Sequence, residues 1–193
     1  MKNLTELTDN QLVLAFKDGS DKALEILLSR YKDKMFSAIL YLVKDHYLAE
    51  DIFQDAFVKI IGNIRNGRYT EEGKFLPWAM RITHNMCVDH FRKVNRTPAI
   101  IMSDKTELFE AGNFVEDPSD KKIIEGETSD KIMYILNKLP DEQREVMVLR
   151  HYADLSFKEI AELTHTSINT CLGRMRYGLI NLRKLIAEKQ VSL

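Results

Sequence analysis

The chain has 193 residues, of which 45% are hydrophobic and 30% are charged, and its formal net charge is −1 at pH 7. That hydrophobic fraction is ordinary for a globular protein and too high for a disordered one. The near-neutral charge argues against a generic polyanion binder, so any nucleic-acid surface must arise from local segregation of basic residues. The two cysteines, Cys87 and Cys171, lack zinc-site or CxxC spacing, and we interpret them as small buried residues in a reducing compartment.

No targeting signal is expected in the first residues of this sequence. The segment MKNLTELTDN lacks the apolar core of a signal peptide, and no apolar run approaches the length of a membrane span. We therefore expect a cytoplasmic protein.

Helical spacing of apolar residues dominates the first half, and strand signals are nearly absent. Four helices are predicted: one capped by Asp9 and ending near Gly19, one starting at Ser20 or Asp21, one from about Leu48 to Ile61, and one from about Phe75 to Val94. The polar, glycine-bearing segment 63–73 between the last two is predicted to be a loop.

The composition changes after the fourth helix. Residues 101–130 hold nine acidic and three basic side chains, and the apolar periodicity fades, which predicts a linker. Helical pattern returns at Lys131–Leu139 and again after Pro140, a residue that suits the first turn of a helix. We predict an all-α protein with two small helical domains, 1–96 and 131–193, joined by an acidic linker over 97–130.

A helix-turn-helix is predicted from Asp154 to Leu185. Ser156 followed three residues later by Glu159 is a capping box that opens its first helix, residues 164–166 form a short turn, and Ser167 can cap the second helix. A helical wheel places five residues on the inward side of that second helix: Ile168, Cys171, Met175, Leu179 and Leu182.

The outward face of the second helix suits duplex DNA. Residues 165–184 include four basic residues and no acidic residue, and the face presents short polar side chains and arginines, which suit base edges and phosphates in a major groove. Gly173 costs a mid-helix position about 1 kcal/mol relative to alanine. Close approach to the DNA backbone and simple tolerance both explain it. An exposed helical hairpin that binds nothing remains the alternative for the whole segment.

A second basic stretch, Lys74–Arg96, combines five basic residues and one acidic residue with aromatic side chains, a mixture that suits single-stranded nucleic acid. Trp78 also lies on the apolar stripe of its helix, so a core position competes with base stacking. The neighbouring loop segment, with Arg65, Asn66, Arg68 and Tyr69, is better placed to hold an extruded base.

The third predicted helix has an acidic, amide-bearing face formed by Glu50, Asp51, Gln54 and Asp55. DNA would repel this face, which favours a basic protein partner. A solvated helix face is the alternative.

Five motifs together resemble the bacterial RNA polymerase sigma factors of the extracytoplasmic-function group, in the sigma-70 family. They are AEDIFQDAF over Ala49–Phe57, FLPWAMRITHN over Phe75–Asn85, DHFRK over Asp89–Lys93, LPDEQREV over Leu139–Val146 and FKEIA over Phe157–Ala161. Their order and spacing match regions 2 and 4 of that family across nearly the whole chain.

The resemblance implies a role for each matching segment. Core polymerase would be bound through its β′ coiled coil by Asp51, Gln54 and Asp55, and through its β flap by Leu139–Arg150 with its neighbours. The −10 element would be bound by Arg65, Asn66, Arg68, Tyr69, Asn85, Asp89, Arg92 and Lys93. The −35 element would be bound by Ser167, Asn169, Thr170, Gly173, Arg174, Arg176 and Tyr177.

The match departs from the family at one place. Members often have Val-Lys-Ser after the helix threonine, whereas Cys171, Leu172 and Gly173 follow Thr170 here. One cation and one hydroxyl are thereby lost from the groove face, so the −35 preference of better-known members does not transfer.

The resemblance implies an alternative sigma factor that binds core RNA polymerase and promoter DNA and directs transcription initiation, with an anti-sigma factor as a further partner. A stand-alone helix-turn-helix regulator is the main alternative, and an interaction module without DNA contact is another. Histidines fit no metal spacing, and no phosphate loop or nucleophile motif is present. We therefore expect no enzyme activity, cofactor, metal or small-molecule substrate.

Overall fold

A computed structural model describes residues 4–70, 74–96 and 131–189, and the regular elements in these ranges are helices. After a 3₁₀ turn at Leu4–Glu6 come α1 (Asp9–Lys17), α2 (Asp21–Val43), α3 (His46–Arg65), α4 (Phe75–Arg96), α5 (131–137), α6 (Asp141–His151), α7 (Phe157–Leu163) and α8 (Ile168–Lys189). The predicted acidic linker, 97–130, lies outside the described residues. The all-α prediction is confirmed.

Side-chain caps set the first helix boundaries. The N-cap of α1 is Thr8, not Asp9 as predicted, because the Thr8 hydroxyl accepts from the backbone of Gln11 and the Gln11 side chain accepts from the backbone of Thr8. The α3 helix begins at His46 and ends at Arg65, so it is longer at both ends than predicted. Asp45 caps it by accepting from the backbone N–H of Leu48.

The first four helices form an N-terminal unit around α2. This helix packs against α1, α3 and α4, and α3 packs against α4. The core is built from fully buried side chains of all four helices, among them Leu12, Leu27, Ile39, Ile60 and Phe75. The apolar side of α2 is buried at intervals from Ala23 to Val43, whereas polar residues on its other side, such as Glu25 and Lys32, are exposed.

The C-terminal unit consists of α5 to α8 and contains the predicted helix-turn-helix. The capping box of Ser156 and Glu159 at the start of α7 is confirmed. Helix α8 crosses both α6 and α7. The α6–α8 crossing is close at Gly178, where an added Cβ would lie 2.9 Å from the Met147 sulfur. The Asn181 amide donates to the Gln143 side chain at 2.9 Å across the same crossing.

The two units pack against each other through α2 and α6. The rings of Tyr41 and Tyr152 meet there, with centroids 5.0 Å apart. Buried residues of both units belong to one continuous apolar cluster. Within the described ranges, no helix has the length and apolarity needed to cross a membrane.

Candidate nucleic-acid interface

The second helix of the helix-turn-helix, α8, presents the residues predicted to contact duplex DNA. Ser167, Asn169, Thr170, Arg176 and Tyr177 are exposed, and Gly173 and Arg174 are half-buried. The opposite side of the helix is anchored in the core, where Cys171 is fully buried. The exposed side therefore faces outward on a rigid element, as a recognition helix requires.

Hydroxyl groups hold the start of α8 in place. The Ser167 hydroxyl accepts from the backbone N–H of Thr170 at 3.0 Å, and the two hydroxyls are 2.8 Å apart. In the preceding turn, the Thr166 hydroxyl lies 3.2 Å from the Cys171 sulfur, which ties the turn to the buried side of α8. Ser167 is thus the capping residue, and both Ser167 and Thr170 are exposed polar residues at the N-terminal end of the helix.

Two apolar side chains on α8 differ from the prediction or were missed by it. The wheel placed Ile168 on the inward side, but the residue is 44% exposed, so that prediction is wrong. Leu172 is also 44% exposed, although it was noted only as a departure from the family pattern. An added Cβ at the neighbouring Gly173 would meet no atom within 4 Å. The four-residue spacing of Ile168 and Leu172 is visible in the sequence, but their exposure depends on which other helices cover the start of α8.

Helix α4 has a second candidate surface. Asn85, Asp89, Arg92 and Lys93 are all exposed and lie at helical spacing on one face. Asp89 and Arg92 approach to 3.5 Å. The other side of this helix packs on α2 and α3, so the structure brings these four residues together on an accessible surface.

The segment after α3 divides into exposed and buried parts. Arg65 belongs to the last turn of α3, where its guanidinium lies over the Phe16 ring at 5.4 Å, and Asn66 and Arg68 are exposed. Tyr69 is only 3% exposed, and its ring centroid is 4.6 Å from that of Trp78. Tyr69 is therefore a core residue in this structure, and the exposed residues of the predicted base-binding loop are polar ones such as Asn66 and Arg68.

The acidic face of α3 is a candidate protein-binding surface. Asp51, Gln54 and Asp55 are exposed, and Tyr47 and Val58, which the sequence analysis did not single out, are 80% and 72% exposed at either end of them. These five residues follow one helical stripe, called here the α3 stripe. An acidic centre flanked by exposed apolar side chains suits a basic partner with apolar contact points at its edges.

Ion pairs link the basic stretch of α4 to the acidic residues of the helix-turn-helix. The Glu159 carboxylate lies 3.4 Å from the Lys74 ammonium and 3.7 Å from the Arg81 guanidinium, and Arg81 also approaches Glu162 at 3.9 Å. Burial alone would raise the pKa of Glu159, but hydrogen bonds from Ser156 and Lys74 hold that pKa below its ordinary value.

Further polar contacts cross the same junction. His84 is 3% exposed, and its Nε2 lies 2.8 Å from the Glu145 carboxylate on α6. Lys44 pairs with Asp141 at 3.2 Å, and Lys34 pairs with Asp154 at 3.0 Å. We call this packing of the two units against each other the closed arrangement. In it, some of the basic residues that were predicted to bind nucleic acid are paired with carboxylates of the same protein.

Comparison with known families matches both units. The model for sigma-70 region 2 matches residues 27–97, and the model for sigma-70 region 4 matches residues 129–175. The chain belongs to the sigma-70 family.

Individual relatives indicate which group of the sigma-70 family the chain belongs to. The chain is 26% identical over 176 residues to the RNA polymerase sigma-H factor of Pseudomonas aeruginosa, covering 89% of this chain and 90% of that protein. It is 28% identical over 193 residues to the ECF RNA polymerase sigma factor SigW of Bacillus subtilis, covering 95% of this chain and 99% of that protein. Within the sigma-70 family, the chain is a member of the extracytoplasmic-function group, as its motifs implied.

Two solved structures have a similar fold. CnrH in complex with the cytosolic domain of CnrY superposes with a TM-score of 0.62 at 20% identity, covering 93% of this chain and 97% of that chain. The sigma factor RpoE in complex with the anti-sigma factor NepR from Bartonella quintana also has a TM-score of 0.62 at 20% identity, covering 86% and 98%.

Proposed function

We propose that this protein is an alternative sigma factor that binds core RNA polymerase and directs it to promoters. The observation that carries the proposal is the pairing, on one chain, of sigma-70 region 2 with a region 4 whose recognition helix is exposed and free of acidic residues over 165–184. The protein catalyses no covalent step in this function. It acts in the cytoplasm, where core polymerase and promoter DNA are found.

The α3 stripe is the proposed docking surface for the β′ coiled coil of core polymerase. Its carboxylates at Asp51 and Asp55 supply the charge, the Gln54 amide supplies polar contacts, and Tyr47 and Val58 supply apolar contacts at the ends. The β flap is proposed to meet α6 and its neighbours in region 4. This second contact requires the closed arrangement to open, because α6 packs on α2 in the free protein.

Promoter DNA would be contacted by two surfaces held apart by the polymerase. The α8 face is proposed to bind duplex DNA at the −35 element. Asn85, Asp89, Arg92 and Lys93 on α4, with Arg65, Asn66 and Arg68 after α3, are proposed to bind the −10 element. Unstacking a base costs a few kcal/mol, which phosphate contacts and base stacking at about 1–3 kcal/mol per base offset.

An anti-sigma factor is a further proposed partner. The fold is similar to two proteins that were solved with protein partners: CnrH with the cytosolic domain of CnrY, and the sigma factor RpoE with the anti-sigma factor NepR. A protein that kept the two units together would hide α6 from polymerase, which is the simplest way to hold the factor inactive.

Run-off transcription with core polymerase is the direct test of the proposed function. Adding the protein is expected to produce promoter-specific transcripts, whereas the protein without polymerase is expected to bind duplex DNA weakly, because its net charge is −1. Tethering by polymerase supplies the missing affinity. Tight, specific DNA binding by the isolated protein, with no effect on polymerase, would instead identify a stand-alone regulator.

Charge reversal on the α3 stripe tests the docking surface. Asp51→Lys together with Asp55→Lys is expected to weaken core-polymerase binding at least tenfold in a pull-down or fluorescence titration, because like charges then face a basic partner. Glu25→Lys on α2 is the control, since Glu25 is also exposed and makes no ion pair within the described residues. Equal binding by the double variant and this control would exclude the α3 stripe as the docking site.

A further inference from the structure

The recognition helix has an apolar patch where a DNA-facing surface would ordinarily be polar. Ile168 and Leu172 are one helical turn apart and each is 44% exposed, and the four-residue spacing continues to the exposed Arg176. Neither apolar residue is needed to close the core, because Cys171, Met175 and Leu182 already pack on that side of the helix. Exposed leucine is common on protein surfaces, but here two large side chains lie side by side on a face without acidic residues.

Gly173 lies next to this patch and has no structural reason to be glycine. It is inside a regular helix, no positive φ is recorded for it, and an added Cβ would meet no atom within 4 Å. Alanine would therefore fit and would favour the helix. The buried Gly178 differs, because an added Cβ there would lie 2.9 Å from Met147. The open space at Gly173 fits the close approach of a molecule to the outer face of α8.

The chemistry of the patch points to one feature of DNA. In the major groove, thymine is the base that presents a methyl group, and apolar side chains contact it. Leu172 has no hydrogen-bond donor, so it cannot recognise guanine in the way that a lysine or an arginine does. Glycine at the adjacent position lets the helix lie closer to the DNA, which brings a branched side chain into contact with a methyl group at the groove floor.

We propose that Leu172, assisted by Ile168 and by the close approach that Gly173 permits, recognises thymine methyl groups in the −35 element. The inference rests on the proposed function, because it assumes that α8 enters the major groove of that element. It adds to that function a base preference, namely a contact between Leu172 and a thymine methyl group.

The test uses the full chain assembled with core polymerase. A pool of linear templates, randomised over both promoter elements, is transcribed and the productive templates are sequenced. Each enriched −35 thymine is then replaced in turn by deoxyuridine, which removes only the methyl group. Burial of one methyl group corresponds to about three- to fourfold in binding, so transcription is expected to fall by about that factor at one or two positions.

Variants assign the effect to the side chains. Leu172→Ala is expected to lower transcription from the thymine template and to abolish the difference between thymine and deoxyuridine at the same position. Leu172→Lys is expected to shift the preference there toward guanine, to which lysine donates. Leu14→Ala on α1 is the matched control, because Leu14 is 46% exposed and belongs to neither DNA surface. Gly173→Ala is expected to lower −35-dependent transcription although the fold accommodates it.

The outcomes separate the inference from the proposed function. If the pool shows no enrichment at either promoter element, the proposed function fails. If promoters are enriched but thymine and deoxyuridine templates are transcribed equally at every −35 position, the methyl contact is excluded while the sigma-factor function stands. If Leu172→Ala still distinguishes thymine from deoxyuridine as the wild type does, Leu172 does not make the methyl contact. If Gly173→Ala transcribes as well as the wild type does, Gly173 has no role in DNA binding.

Discussion

Tyr69 has polar and glycine neighbours in the chain but aromatic neighbours in space. Its ring lies against Trp78 at 4.6 Å and near Phe75 at 6.0 Å, and both partners belong to the first turn of α4. Such aromatic pairs add about 0.5–1.5 kcal/mol to the free energy gained from burial. Tyr69 thus attaches the segment after α3 to the core and so positions Arg68 beside it.

Tyr69→Ala is expected to lower the free energy of unfolding by about 3–5 kcal/mol, because it removes a buried aromatic ring and leaves a cavity. Urea denaturation measures the change. Tyr177→Ala serves as the control: Tyr177 is 61% exposed, and its loss is expected to change stability by no more than about 0.5 kcal/mol. Similar losses for both variants would show that Tyr69 is not buried in solution.

The two glycines of α8 are expected to respond differently to replacement by alanine in the free protein. Gly173→Ala is expected to raise the free energy of unfolding by up to about 1 kcal/mol, because the helix gains propensity and the Cβ enters open space. Gly178→Ala is expected to gain less or to destabilise, because the Met147 sulfur must move. Thermal or urea unfolding of the two variants measures these changes. A loss of stability in Gly173→Ala would mean that another part of the protein covers the outer face of α8.

The capping box of α7 links helix stability to pH. The pKa of Glu159 is lowered in the folded protein despite its burial, because Ser156 and Lys74 donate to the carboxylate. A group with a lowered pKa stabilises the fold above its ordinary pKa, which is 4.5 for Glu159, and loses that effect as the pH falls through the folded value.

Glu159→Gln keeps the capping box but removes the charge, so it is expected to destabilise the protein by about 0.3–1 kcal/mol near neutral pH, and the difference from wild type is expected to shrink below about pH 4.5. Urea unfolding at a series of pH values measures this difference. Glu25→Gln, on the exposed side of α2, is expected to show no such difference at any pH. A deficit in Glu159→Gln that stays constant down to pH 3 would contradict the role of the charged carboxylate.

Elements that depend on neighbouring residues could be predicted from the sequence. The helix-turn-helix, its capping box and the cap at Ser167 follow from residues three positions apart, and the burial of Cys87 and Cys171 follows from their type. Side chains whose surroundings come from other helices could not. The wheel placed Ile168 inward because it shares a side with Met175, but a wheel does not show which helices cover the first turn.

At the scale of the whole molecule, the contacts between the N-terminal and C-terminal units could not be predicted from local sequence patterns either. Glu159 and Glu162 are more than 70 residues from Lys74 and Arg81 in the chain. A count of charges over Lys74–Arg96 alone does not include these two acidic residues, so it predicted that the cations bind nucleic acid. Surface pairs of this kind contribute about 0.2–1 kcal/mol each and weaken with salt. The closed arrangement is therefore held by several weak contacts around the apolar α2–α6 junction.

Arg81→Glu is expected to favour separation of the two units, because it replaces two attractions with repulsion from Glu159 and Glu162. Fluorescence energy transfer between dyes on α1 and the end of α8 is expected to fall, most clearly at low salt. Lys32→Glu makes the same charge change at an exposed position of α2 with no ion pair among the described residues. If both variants show the same transfer, the ion pairs do not hold the closed arrangement.

The position of the α3 stripe determines an order of events. Its residues take no part in the ion pairs described between the units, so polymerase can capture the closed protein before the units separate. Assembly should then have two kinetic phases: a capture rate that rises with polymerase concentration, and a later rate that does not. An anti-sigma factor that leaves the α3 stripe uncovered would slow only the second phase, whereas one that covers it would stop the first.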